Sequence, residues 1–188
     1  MSTFKYMSEN YLTTVFTEEL FTCDCCREVK ELKYIGPQYS SGTIDAILRA
    51  QCIQNGEAVE SGLVGFFNEI DPECVDDNVS NEICYRTPGF FTWQDQEWAT
   101  HCNDAGEFHG DASAQDIIDA DESTIHIWME RYDQSRKDWE SFMTGYLPGG
   151  HLGAYKFICK HCNAMVIDWD FSSLLSKKQL VESLQLQS

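Results

Sequence analysis

The chain has 188 residues, 43% hydrophobic and 13% aromatic, enough for a core in a single domain and too apolar for disorder despite a net charge of −18. The excess of 31 acids over 13 bases opposes binding to nucleic acid phosphates, and no run approaches the roughly 18–20 apolar residues of a membrane span. With nine cysteines and no readable secretory leader, the expected location is the reducing cytoplasm, where metal ligation or catalysis is expected rather than a disulfide framework.

Residues 11–22 mix β-branched and aromatic residues with polar ones and lead into a cluster holding Cys23, Cys25 and Cys26. Lys33-Tyr34-Ile35 reads as a strand closed by Gly36-Pro37. Ser41-Gly42-Thr43 predicts a helix start, with Ile44, Ile47, Leu48 and Cys52 on one face and Asn55-Gly56 as its stop. Residues 57–80 form an acidic loop anchored by Phe66-Phe67, and Val79 to Arg86 predicts a short helix halted by Thr87-Pro88-Gly89. The aromatic group Phe90, Phe91, Trp93 and Trp98 is expected in the core. Residues 114–121 and 124–145 predict two helices; the second carries a stripe of Ile125, Trp128, Met129, Tyr132, Trp139, Phe142 and Met143.

Beyond Pro148-Gly149-Gly150 the pattern turns to strand. Residues 154–158 lead into Cys159-Lys-His-Cys162 and residues 164–170 lead away, a hairpin carrying a zinc knuckle. Residues 174–187 are weakly amphipathic and predict a helical extension, 173–188, to a single domain over 1–172. The expected fold class is α+β, a small antiparallel sheet with zinc-knuckle-like hairpins packed against helices.

Two cysteines separated by two residues let both sulfurs converge on one ion. A residue that tolerates the left-handed conformation after the second cysteine helps the turn; Asn163 suits that position better than Arg27. The rival reading, thiol–disulfide exchange, needs a CxxC at the start of a helix after a strand. Neither pair has that context. No GxSxG, HExxH or phosphate-binding glycine loop is present.

The charge is unevenly placed. Between Arg49 and Arg131 the only base is Arg86, against 18 acids, a local net of −17. Such a field keeps a protein soluble or steers a basic partner toward it.

The chain resembles the CbrC family, bacterial proteins of similar length with several CxxC motifs. The residues that carry the resemblance are Phe4-Lys5-Tyr6, Tyr34, Gly36, Pro37 and Tyr39, then Arg86 to Phe90, Trp93, Trp98, His101-Cys102, and Tyr155, Phe157, Cys159 and Cys162. The resemblance implies two four-sulfur zinc sites. This chain keeps three sulfurs of each, Cys23, Cys26 and Cys52, and Cys102, Cys159 and Cys162, with Arg49 and Gly106 at the missing ligand positions. Cys25 or Asp24 are candidates to complete the first, and His101 or Asp104 the second. The resemblance further implies a protein-binding role in toxin (colicin) tolerance or immunity, with a basic partner such as a nuclease toxin. The alternative expectation is a zinc-dependent enzyme with an open three-ligand site; no catalytic residue is singled out.

Overall fold

In the computed structural model, which describes residues 4–40, 42, 45–94 and 96–172, hairpins alternate with short helices. The order is α1 (Glu9–Val15), β1 (Phe16–Thr22), β2 (Val29–Tyr34), α2 (Ala50–Gln54), α3 (Glu57–Glu60) and α4 (Asp77–Arg86), then β3 (Thr100–His101), β4 (Asp104–Ala105) and β5 (Glu107–Asp111). Helices α5 (Ala114–Ile118), α6 (Glu122–Tyr132) and α7 (Arg136–Met143) precede β6 (Leu152–Ile158) and β7 (Met165–Phe171). The protein is α+β. Its largest sheet is antiparallel with order β5-β6-β7, beside the separate hairpins β1-β2 and β3-β4. The helical extension expected over 173–188 lies outside the described residues.

The pleat of β6 divides the interior. Successive side chains in a strand face opposite ways. Leu152 and Ala154 join Ile167 of β7 against Trp128, Trp139 and Tyr146 of the helical layer. Tyr155 and Phe157 face the other way, into the larger core with Phe90, Trp98 and Phe108. There the rings of Phe90 and Phe108 lie 4.3 Å apart and those of Phe108 and Phe157 4.9 Å apart, with Trp98 edge-on to Phe157 at 5.6 Å. The aromatic motif is therefore divided: Phe90 and Trp98 are buried, whereas Phe91 and Trp93 are about half exposed, at 51% and 48%. The expectation that all four sit in the core holds for two.

Two expected helices come out differently. The residue 124–145 segment is two helices. Asp133 sits at φ +50 and its N–H caps Met129, which ends α6; Ser135 and Asp138 then form a reciprocal capping box that starts α7. The helix expected from Ser41–Thr43 is present, among the described residues, over Ala50–Gln54. Its upstream residues bond elsewhere: Ile47 exchanges hydrogen bonds with Asp24, and the Leu48 carbonyl accepts from the Tyr34 amide at 2.9 Å. The helix stop at Asn55-Gly56 is present, with Gly56 at φ +82.

The acidic segment between α3 and α4 is held from inside. Asn68 is fully buried, and its Nδ2 donates to the carbonyls of Ile83, Thr87 and Pro88, closing the open end of α4. Gly106, read from sequence as a vacated ligand position, is a packing position. A Cβ there would meet the Cβ of Phe157 at 2.9 Å, and the Gly106 carbonyl accepts the Trp98 indole N–H at 2.8 Å. Gly106→Ala is expected to cost about 1–3 kcal/mol in urea unfolding, and Gly106→Cys at least as much without adding bound metal; an unchanged midpoint in either variant would contradict this packing.

Candidate metal centres

Both CxxC pairs fold as the same turn. Cys159 N–H donates to Ala164 O at 2.9 Å and Asn163 N–H returns to Cys159 O at 3.0 Å. At the first pair, Cys23 N–H donates to Glu28 O and Arg27 N–H to Cys23 O, each at 2.9 Å. The residue after the second cysteine is left-handed in both, Asn163 at φ +59 and Arg27 at φ +62. Asparagine accepts that region readily. Arginine, which sequence reasoning ranked lower, is held in it by the same two bonds.

A third turn meets the second knuckle. Cys102 and Asn103, at φ +56 and +55, make the tight connection between β3 and β4. This turn aims both His101 and Cys102 at the knuckle. Cys102 Sγ lies 3.8 Å from Cys162 Sγ, and His101 Nδ1 lies 3.3 Å from Cys102 Sγ and 3.4 Å from Cys162 Sγ. The donor atoms of His101, Cys102, Cys159 and Cys162 all fall within 4.8 Å of one another. Metal–sulfur bonds of about 2.3 Å and metal–nitrogen bonds of about 2.0–2.1 Å, set at tetrahedral angles, separate two sulfurs by roughly 3.8 Å and a sulfur from a nitrogen by roughly 3.5 Å. The group matches that spacing.

Its electrostatics suit a cation. Burial pushes the Cys159 thiol up, but His101 and the backbone amides of Cys162 and His161 outweigh it and bring it down to about 6. Desolvation and the neighbouring thiols of Cys162 and Cys159 push Cys102 up to about 11. Of the two candidates for the fourth position, the geometry selects His101. Asp104 is engaged otherwise, accepting from the Tyr6 hydroxyl at 2.7 Å and lying 2.9 Å from His161 Nε2. His161, inside the CxxC, was not singled out from sequence. Its position in the knuckle loop turns it away from the sulfurs and toward Asp104, bracing the two hairpins.

The first cluster brings together Cys23, Cys26 and Cys52, again within 4.8 Å, with Cys23 and Cys52 fully buried and their sulfurs 3.9 Å apart. Neither proposed fourth ligand joins these three. Asp24 Oδ2 accepts the Ile47 amide at 2.8 Å, and Cys25 groups instead with Cys52 and Glu57. Arg49 stands where a fourth ligand would be expected. Its Nε donates to Cys52 Sγ at 3.4 Å while its Nη1 pairs with Glu28 at 3.0 Å. A guanidinium against a sulfur supplies the positive charge that a metal would supply.

Both clusters can hold a metal ion, the second with a complete donor set and the first with three donors and a cation beside them. No helix among the described residues is long and apolar enough to cross a membrane. No solved structure matches the chain. The chain is similar to the UPF0167 protein PA1536 of Pseudomonas aeruginosa, 29% identical with 90% of this chain and 96% of that protein aligned. It is also similar to the UPF0167 protein Mb2317 of Mycobacterium bovis and the UPF0167 protein MT2352 of Mycobacterium tuberculosis, each 27% identical over 90% of this chain and 92% of the relative. The family model that matches is described as an uncharacterised protein family, UPF0167, and it spans residues 1–171. That span contains every motif on which the resemblance to the CbrC family was built, so the CbrC assignment, and the colicin tolerance drawn from it, is replaced. The chain belongs to the UPF0167 family.

Proposed function

We propose that this protein is a zinc-stabilised binding module. His101, Cys102, Cys159 and Cys162 hold one structural zinc, and the acidic middle of the chain captures a cationic partner. The observation that carries the reading is the spacing of those four donors. Three soft thiolates and an imidazole at tetrahedral separations suit zinc above the hard cations. A four-donor shell is closed, which is the arrangement of structural zinc. The β3-β4 hairpin gives the ion a task. Two residues per strand are too few for independent stability, and two successive non-glycine residues sit in the left-handed region. Coordination fixes that turn onto the β6-β7 knuckle.

The enzymatic alternative requires a coordination position open to water. At the second cluster His101 Nδ1 occupies it, and at the first Arg49 lies against Cys52. For the partner, support comes from the local net charge of −17, which steers a basic surface toward this one. Nine free cysteines suit a reducing compartment, and we place the protein's action in the cytoplasm on that ground.

Protein purified without added metal is expected to carry one zinc per chain by mass spectrometry. Cys102→Asn keeps a residue that tolerates the turn while removing its sulfur; it should lose the zinc and melt about 5–10 °C lower, as should chelated wild type. Acidification should release the metal, because protons compete for the thiolates. Wild-type protein that lacks zinc yet melts like the zinc-supplemented sample would sink the reading. At the first cluster, Arg49→Cys should raise the content to two zinc ions per chain; a native content of two would show that three sulfurs suffice there. For the partner, immobilised protein should retain basic proteins from a bacterial lysate at low salt and release them as screening rises. Retention indifferent to salt would reduce the charge to a solubility device.

A further inference from the structure

An open cleft of about 470 Å³ lies beside Tyr155 of β6. Its walls are aromatic: Tyr11, Phe91, Trp93 and Tyr155. Phe91 and Trp93 are two of the large apolar side chains left exposed on the described surface. They are fixed in place. The Phe91 amide donates to the Tyr11 hydroxyl at 3.1 Å, the Trp93 indole N–H to Gly150 O at 3.1 Å, and the amides of Trp93 and Gln94 both donate to Asp170 Oδ2 at 2.8 Å. The Tyr155 hydroxyl donates to Asp170 Oδ1 at 2.7 Å. Gly153 leaves room for that pair, since a Cβ there would strike both partners. Such a wall is preorganised, and little ordering is left for a ligand to impose.

The cleft also holds a carboxylate with nothing to neutralise it. Asp111 lines it. Among the described residues no cation pairs with Asp111, and the charge it faces is another acid, Asp170. Partial desolvation, and then Asp170, push its carboxyl up, although the side chain keeps much of its contact with solvent. Asp170 itself is saturated by two amides and a hydroxyl; Asp111 is not. Aromatic faces attract a cation through their quadrupoles, and a carboxylate beside them adds a charge-assisted hydrogen bond. The volume lies within the range of small-ligand pockets.

We infer that this cleft binds an organic cation, an ammonium or guanidinium group seated against the exposed Trp93 and Phe91 rings and paired with Asp111. It deepens the proposed capture of a cationic partner and rests on that reading only for the source of the cation. The group arrives either on a free amine or on a basic protein side chain.

The test is a titration of the full chain with agmatine, with N-acetyl-arginine amide as the side-chain mimic, and with pentylurea as a neutral probe of similar size. Calorimetry reads the affinity and the indole resonance of Trp93, assigned with Trp93→Phe, reads the place. Both cations should bind saturably and shift that resonance, and pentylurea should not. Asp111→Asn should weaken the cations about tenfold, and Trp93→Ala should weaken them as well. Tighter binding of the arginine amide assigns a protein side chain as the source, and tighter binding of agmatine a free amine. Folding of the first variant is not in question. Asp111 is exposed at the end of β5, so Asp111→Asn should melt within about 2 °C of wild type. Absence of cation binding, equal binding of pentylurea, or undiminished binding by Asp111→Asn would overturn the assignment. If agmatine fails while basic proteins are still retained at low salt, the cleft is wrong and the acidic-face reading stands; the converse leaves the cleft and removes the face.

Discussion

The pleat of strand β6 is the constraint on which the rest of the molecule depends. It is hydrogen-bonded on both edges, to β5 and β7, so its register cannot slip by one residue without exchanging both its faces. Leu152 and Ala154 would leave the helical layer, and Tyr155 and Phe157 would leave the aromatic core. The same register sets Cys159 one residue past the end of the strand and Tyr155 beside the cleft. The candidate metal centre and the proposed cation site are thus two outputs of one strand. That is why a hairpin is found here rather than a flexible loop. A tetrahedral donor set tolerates errors of only a few tenths of an ångström, which a two-edged strand can hold.

The fourth donor of the second centre shows what backbone geometry can add to a sequence pattern. Neighbouring residues in an extended chain point to opposite sides, so His101 and Cys102 would not both serve one ion. The left-handed conformation of Cys102 turns the chain within one residue and brings both onto the same side. Asn103 and Asp104 follow, residue types that tolerate or stabilise such a turn. The histidine was legible as a candidate because it adjoins a cysteine. Its preference over Asp104 was not, because the competing bonds of Asp104 come from Tyr6 and His161, 98 and 57 residues away.

Local signals were the readable ones. The two CxxC turns, the strands flanking the second, and the helix ending before Thr87-Pro88-Gly89 all follow from short-range preferences, and all are present in the fold. What resisted reading was decided at a distance. The apolar stripe of residues 125–143 is continuous in period, yet the capping chemistry at Asp133 and Ser135 breaks it, since each half then closes with satisfied ends. The helical pattern at Ile47 and Leu48 yields to Asp24, whose carboxylate and amide both bond Ile47, and to the buried Tyr34, whose amide needs the Leu48 carbonyl. Gly106 looked like a lost ligand because a family pattern, not a packing contact, was the guide. Composition could not say which aromatic residues are exposed; Phe91 and Trp93 differ from Phe90 and Trp98 by their side of the chain, not by their type.

The surplus of acids invites the question whether a metal held at the second cluster would balance it. It would not. A zinc held by three thiolates and a neutral imidazole leaves a site of net charge −1, more negative than the same site with its thiols protonated. At the first cluster Arg49 is already paired with Glu28, so its charge is spent locally. Flanking bases meet part of the middle segment's field, Arg131 at Glu97, Arg136 at Glu122, Lys156 at Asp116 and Lys160 at Glu107, but among the described residues none pairs with Asp111, and its repulsion from Asp170 is left. Neutralising Asp111 alone would relieve it in the free protein. Asp111 thus stands unpaired beside a preorganised aromatic cleft, and a cation bound there as proposed would meet that charge and stabilise the folded chain by mass action.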